Sequence, residues 1–222
     1  MKLQDVLELK SQKDNALVEV LRKAVAEYTH EIPTAWKTAA DHIWDNTRDK
    51  SVLTKVPLKK ISLVTILPKD QRDKKVSGRY VPNKSKILMR ETIALRLLAV
   101  QLIKHEFAHH LAEVYFNPDK LGNGDVAQNL KAGYVEEWEA EREQVEKESH
   151  IQIGDDIDED WEELFRTGTR AISLYALRTP DEWIAEAFAL AWTPGSEQVL
   201  IEMRKRFPKT FQAVDAVLNN KI

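Results

Sequence analysis

His105-Glu106-Phe107-Ala108-His109 closes an apolar run that includes Ile93, Ala94, Leu95, Leu97, Leu98, Ala99, Val100, Leu102 and Ile103. Apolar residues nearly all round predict a buried helix, here from about Glu91 to Phe116. Positions i and i+4 of a helix share one face, so His105 and His109 can offer two imidazole nitrogens to one cation. Glu106 lies beside the first, where it can take a proton from an attacking water. The same pattern also arises by chance, as two solvated histidines and a surface glutamate. The apolar setting argues against that origin, because burying such groups without a partner costs on the order of a few kcal/mol.

Two histidines and a water leave tetrahedral zinc one protein ligand short. The chain has no cysteine, and Tyr115 stands where a third histidine six residues on would be. A glutamate from a second helix is therefore expected. Thr179-Pro180-Asp181-Glu182-Trp183-Ile184-Ala185-Glu186-Ala187-Phe188-Ala189-Leu190 reads as that helix, with Pro180 in its first turn and Asp181 at its positive end. Glu182 and Glu186 share one face of it, and carboxylates on so apolar a helix are normally paired or metal-bound. One would ligate, and the other would hold a ligating histidine by its second ring nitrogen. The rival is Glu136-Glu137-Trp138-Glu139-Ala140-Glu141. Its carboxylates point all round the helix, as on a solvated face.

With these residues the chain resembles the protease domain of anthrax lethal factor and the related secreted Pro-Pro endopeptidases. The resemblance rests on His105 to His109, Tyr175, Glu182-x-x-Ala185-Glu186-x-Phe188 and the tail Phe207-Pro208-Lys209-Thr210-Phe211-Gln212, and covers roughly residues 60 to 222. It implies an α+β zincin-like fold of the glutamate-ligand (gluzincin) type. It also implies that Glu182 is the third zinc ligand, Glu186 supports a ligand, and Tyr175, seven residues before Glu182, assists catalysis. Ala108 stands where the family usually has glycine. The 73 residues from His109 to Glu182 are a longer interval than the family's.

Charge and length suit an enzyme better than a nucleic-acid binder. The 222 residues carry a formal net charge of −3, with none of the basic excess such binding uses. Residues 51–90 hold eleven Lys/Arg against two Asp, a net of +9, and 135–163 carry a net of −12. Two solvated surfaces explain this, and an acidic substrate meeting the basic region is the functional alternative. Asp156, Asp158 and Asp160 resemble the start of a calcium loop, but Trp161 occupies the position that needs glycine. No cysteines, no apolar leader at residues 1–10 and no spanning segment lead to the expectation of a cytoplasmic monomer with no membrane partner.

The layout predicted is a helical appendage over 1–50 and a catalytic domain over 51–222, with an acidic helical insertion at about 117–165. Leu17, Val20, Leu21, Ala24, Val25 and Tyr28 recur at helical spacing, and Pro33 opens a second helix. Ile61 to Leu67 is an expected strand. Ser77 to Val81 and Lys86 to Met89 form a hairpin turned at Pro82-Asn83-Lys84, in a small antiparallel sheet. Gly78, Arg79 and Tyr80 are the expected substrate edge, because the strand is short, charged and ended by proline. An extended peptide would add there, with Arg79, Lys84 and Lys86 favouring acidic residues. His110 is turned about 100° from His109 and is expected outside the ligand set. His30, His42 and His150 are expected at the surface.

The function expected is a zinc endopeptidase holding one Zn²⁺ per chain on His105, His109 and Glu182. Glu106 serves as proton acceptor and donor, and Tyr175 as hydrogen-bond donor to the oxyanion. The alternative is a metal-binding, phage- or toxin-associated interaction protein with weak or lost hydrolysis. A non-peptide metallohydrolase is more distant.

Overall fold

A computed structural model describes residues 34–53, 60–64, 78–84, 86–90, 98–149, 152–153, 172–173 and 175–222. These fall into two compact units, Met1–His110 and Leu111–Ile222. The expected appendage over 1–50 lies largely outside the described residues, as do His30, His150 and the aspartates at 156, 158 and 160. Among the described residues no helix is long and apolar enough to cross a membrane.

The first unit carries helix α1 (Thr34–Asn46), strands β1 (Lys60–Val64), β2 (Gly78–Val81) and β3 (Lys86–Arg90), and the opening of helix α2 (Leu98–Phe116). The expected turn holds: Pro82–Lys84 forms a single 3-10 turn between β2 and β3. Proline presets its φ for such a turn and cannot continue a central strand. Strand order is β1-β3-β2, so β3 is central and β2 is an edge among the described strands. The β2–β3 pair is antiparallel, Gly78 facing Met89 and Tyr80 facing Ile87.

The sheet as a whole corrects the antiparallel expectation. β1 runs parallel to β3, Ile61 beside Ile87 and Leu63 beside Met89. Alternation within a strand reports which face is buried and not which way a neighbour runs. A parallel pair needs a crossover connection, and here β2 and the Pro82–Lys84 turn lie within the chain between the two strands.

The second unit holds α3 (Asp125–Ser149), α4 (Pro180–Ala191), α5 (Glu197–Arg206) and α6 (Pro208–Leu218). α3 packs against α6 and α4, and α4 against α6. Gly122 permits the tight turn between α2 and α3, because a Cβ there would stand 2.6 Å from the Tyr115 carbonyl oxygen. Gln128 of α3 then donates to the Phe116 and Gly122 carbonyls that close that turn. The core collects Phe116, Tyr134, Trp183, Phe188, Trp192, Phe207 and Phe211. Trp183 meets Phe207 edge to face, ring centres 4.8 Å apart.

Two polar systems lock these helices. Trp183 Nε1 donates to Thr210 Oγ1 at 2.8 Å, and that hydroxyl donates to Glu137 Oε2 at 2.7 Å. Glu137 also accepts from the backbone N–H groups of Lys209 and Thr210, both at 2.8 Å. It supplies the cap that Phe207, lacking a side-chain oxygen, cannot give to α6. Four residues along α3, buried Glu141 takes both carboxylate oxygens to Arg206 Nη2, at 2.8 and 2.9 Å. The solvated face expected for 136–141 is thus half wrong: Glu136 and Glu139 face water, while Glu137 and Glu141 hold the fold.

Candidate metal centre

α2 is built as its sequence suggests. Ile103, Phe107, Ala108, Leu111 and Val114 are buried, so the polar residues among them are drawn in by the same helix. His105, Glu106 and His110 are all more than nine-tenths buried, and His109 is half-buried. The i, i+4 relation brings His105 Nε2 within 3.0 Å of His109 Nε2. Their rings stand nearly perpendicular, 85° between planes. Bonds of about 2.05 Å to zinc put two tetrahedral ligand nitrogens about 3.3 Å apart. The paired imidazoles are already close to that separation.

On α4, Thr179 caps the helix by accepting from Glu182 N at 3.2 Å, and Pro180 takes the first turn, where a missing N–H costs nothing. Trp183, Ile184, Ala187 and Phe188 bury one side of the helix. Glu182 and Glu186 remain half-buried, one turn apart. Tyr175 lies in the 3-10 turn Tyr175–Leu177 that precedes this helix. Its hydroxyl donates to Glu182 Oε1 at 3.3 Å, and the Arg178 guanidinium lies 5.1 Å from its ring centre.

One ligand atom from each of His105, His109 and Glu182 lies within 4.8 Å of the other two, and together they could hold a metal ion. The donor set is two imidazole nitrogens and one carboxylate oxygen with no thiolate, a set that suits zinc and leaves a fourth position for water or substrate. Glu186 is outside this cluster.

The remaining candidates fall as follows. Glu106 packs against β2: a Cβ built on Gly78 would lie 3.0 Å from Glu106 Oε1. Tyr80 is buried with its hydroxyl 3.0 Å from His110 Nδ1. The side chains of Arg79 and Lys86 lie outside the described residues, and Lys84 is exposed. His110 is away from the ligand nitrogens as expected, but it is an internal partner of Tyr80. His42, expected at the surface, is half-buried with its Nδ1 enclosed and unpartnered. Burial and then the Lys104 charge hold its pKa below the ordinary histidine value. Trp138 donates from Nε1 to the Leu177 carbonyl at 3.1 Å.

Sequence reasoning missed the Tyr80–His110 pair and the contact between Gly78 and Glu106. A glycine inside a short strand was the available signal, since it often marks close approach of another group.

No protein-family model, curated protein or solved structure matches this chain.

Proposed function

We propose that this chain is a zinc-dependent endopeptidase of the zincin-like, glutamate-ligand type. The observation that carries the reading is the convergence of His105, His109 and Glu182 within 4.8 Å, with Glu106 next to the first of them on the same helix. When bound, zinc would polarise the scissile carbonyl and make water a better nucleophile at neutral pH. The Glu106 carboxylate accepts the proton that the attacking water loses and returns it to the leaving amine. The Tyr175 hydroxyl, already pointed at the Glu182 carboxylate, turns to donate a hydrogen bond to the oxyanion. β2, an edge among the described strands, would offer its main-chain groups to an extended peptide or protein substrate, which binds as an added strand.

The competing reading, a metal-binding interaction protein without turnover, has no use for a buried glutamate beside the ligands. A peptide library incubated with the protein, with and without a chelator, separates the two. Chelator-sensitive cleavage is expected, and Glu106→Gln should retain zinc and fold while losing at least ~10³-fold in rate. Zinc-loaded protein that cleaves no member of the library would favour the interaction reading.

A further inference from the structure

Edge strand β2 and the ligand-bearing turn of α2 touch at two places that nothing in the zinc chemistry requires. Gly78 is buried, and a Cβ there would meet Glu106 Oε1 at 3.0 Å and both Leu102 methyls at 3.1 Å. The Cα of Gly78 therefore borders the Glu106 carboxylate. Two residues on, Tyr80 donates to or accepts from His110 Nδ1 at 3.0 Å, with the two rings 5.5 Å apart and edge to face. His110 also tilts against Phe107, ring centres 5.7 Å apart.

The spacings match. From 106 to 110 a helix advances about 6 Å, and from 78 to 80 a strand advances about 7 Å. Gly78 and Tyr80, two apart on one face of β2, thus meet Glu106 and His110, one turn apart on α2. One contact sits at the proton-transferring carboxylate and the other one turn beyond it. A single contact would let the strand pivot, whereas two contacts fix its register against the helix. Both Tyr80 and His110 are more than nine-tenths buried, so water competes little for their bond.

We propose that Gly78, Tyr80 and His110 form a positioning device that seats the Glu106 carboxylate against β2. Gly78 supplies the space, and the Tyr80–His110 bond holds that space in register. The substrate-binding edge and the proton acceptor are then one rigid piece, and a peptide paired with β2 arrives at a fixed distance from Glu106. This rests on the endopeptidase reading for its kinetic consequences, and on local packing alone for the seating of Glu106.

Gly78→Ala tests it. The atoms that a new methyl would meet are the ends of flexible side chains, so they give way without moving backbone. The variant should fold and hold one zinc per chain. Its kcat should fall about 10- to 100-fold, the scale of a roughly 1 Å misplacement of a reacting group, with KM changed less than about twofold. Tyr80→Phe, which keeps the ring and removes the hydroxyl, should show the same split between kcat and KM, with a kcat loss of about 10-fold from the same cause. Unchanged kcat in either folded variant overturns the proposal.

A thermal double-mutant cycle needs no activity. The loss of unfolding midpoint caused by Gly78→Ala should shrink in a Glu106→Ala background, because contacting residues are non-additive. Equal losses in both backgrounds would remove Glu106 from the Gly78 site. If the wild type cleaves no peptide, the endopeptidase reading fails, and this cycle still decides whether Gly78 seats Glu106.

Discussion

Two helices of this molecule carry glutamates one turn apart, and they use them differently. On α3, Glu137 accepts three hydrogen bonds at the start of α6, and Glu141 takes up the Arg206 guanidinium. On α4, Glu182 receives the Tyr175 hydroxyl at 3.3 Å and lies within 4.8 Å of two histidine nitrogens. The first pair is engaged by two N–H groups, a hydroxyl and a cation from neighbouring helices, so it is committed to the fold. In the second, a Glu182 carboxylate oxygen lies among the ligand nitrogens of His105 and His109. Spacing puts two carboxylates on one face, but what faces them decides between a strut and a ligand. Substitutions should therefore separate cleanly: α4 changes read out in metal and turnover, α3 changes in stability.

The largest effect belongs to Glu182. Glu182→Ala should weaken zinc binding well beyond 100-fold, because it removes a direct ligand, whereas Glu186→Ala should cost no more than about 10- to 100-fold, as for groups that orient ligands. Competition against a calibrated chelator measures both. Equal losses would erase the distinction between the two α4 glutamates, and full affinity in the Glu182 variant would place the third ligand elsewhere.

Tyr175→Phe comes next. It keeps the ring against Arg178 and deletes the hydroxyl that faces Glu182. Zinc content should stay at one per chain while kcat falls about 10- to 1000-fold, the range for one oxyanion donor. Wild-type turnover on a good substrate would reduce the hydroxyl to a contact of Glu182.

How much of this could be read in advance follows the range of the interactions. The histidine pair and Glu106 sit in five consecutive residues of one helix, so periodicity alone brings the nitrogens together. The approach of Glu182 to the histidines was legible through its place on an apolar helix, whereas Tyr175 was singled out only by the resemblance. The parallel course of β1 was not, because strand direction is set by the connection and not by the strand. Nor was the work of Glu137, whose partners lie more than seventy residues away at the start of α6. His110 lies outside the His105–His109–Glu182 group, and its bond to Tyr80, thirty residues away in the chain, left no local signal. Local pattern found the group that could hold a metal and missed the scaffold around it.

The α3 side of the comparison is tested by Glu141→Ala. Breaking a fully buried pair costs roughly 3–5 kcal/mol because one charge is left unpaired. The Arg206 side chain is 32 % exposed, so water partly repairs the loss, and about 2 kcal/mol is expected. Urea unfolding should show this as a lower midpoint with the same slope. Zinc affinity should be that of the wild type. A loss of metal here would mean that α3 governs the site and that the division between struts and ligands fails.

The smallest effect is the sharpest test of the division. Glu137→Ala leaves the N–H groups of Lys209 and Thr210 without their cap and the Thr210 hydroxyl without its acceptor. Loss of a cap costs about 1 kcal/mol. Glu137→Gln keeps one amide oxygen to accept from the helix end and loses the charge that favours the helix's positive pole, so it should recover about half of that loss. An ordering of wild type, glutamine, alanine in unfolding midpoint identifies a helix cap. Equal midpoints for the glutamine and alanine variants would mean that charge alone mattered. Because Thr210 also accepts from Trp183 at 2.8 Å, next to Glu182 in the chain, the alanine variant further asks how firmly α4 is held. Unchanged zinc affinity alongside the lower midpoint would show that the cap stabilises the helices without setting the ligand, as the separation of struts from ligands requires.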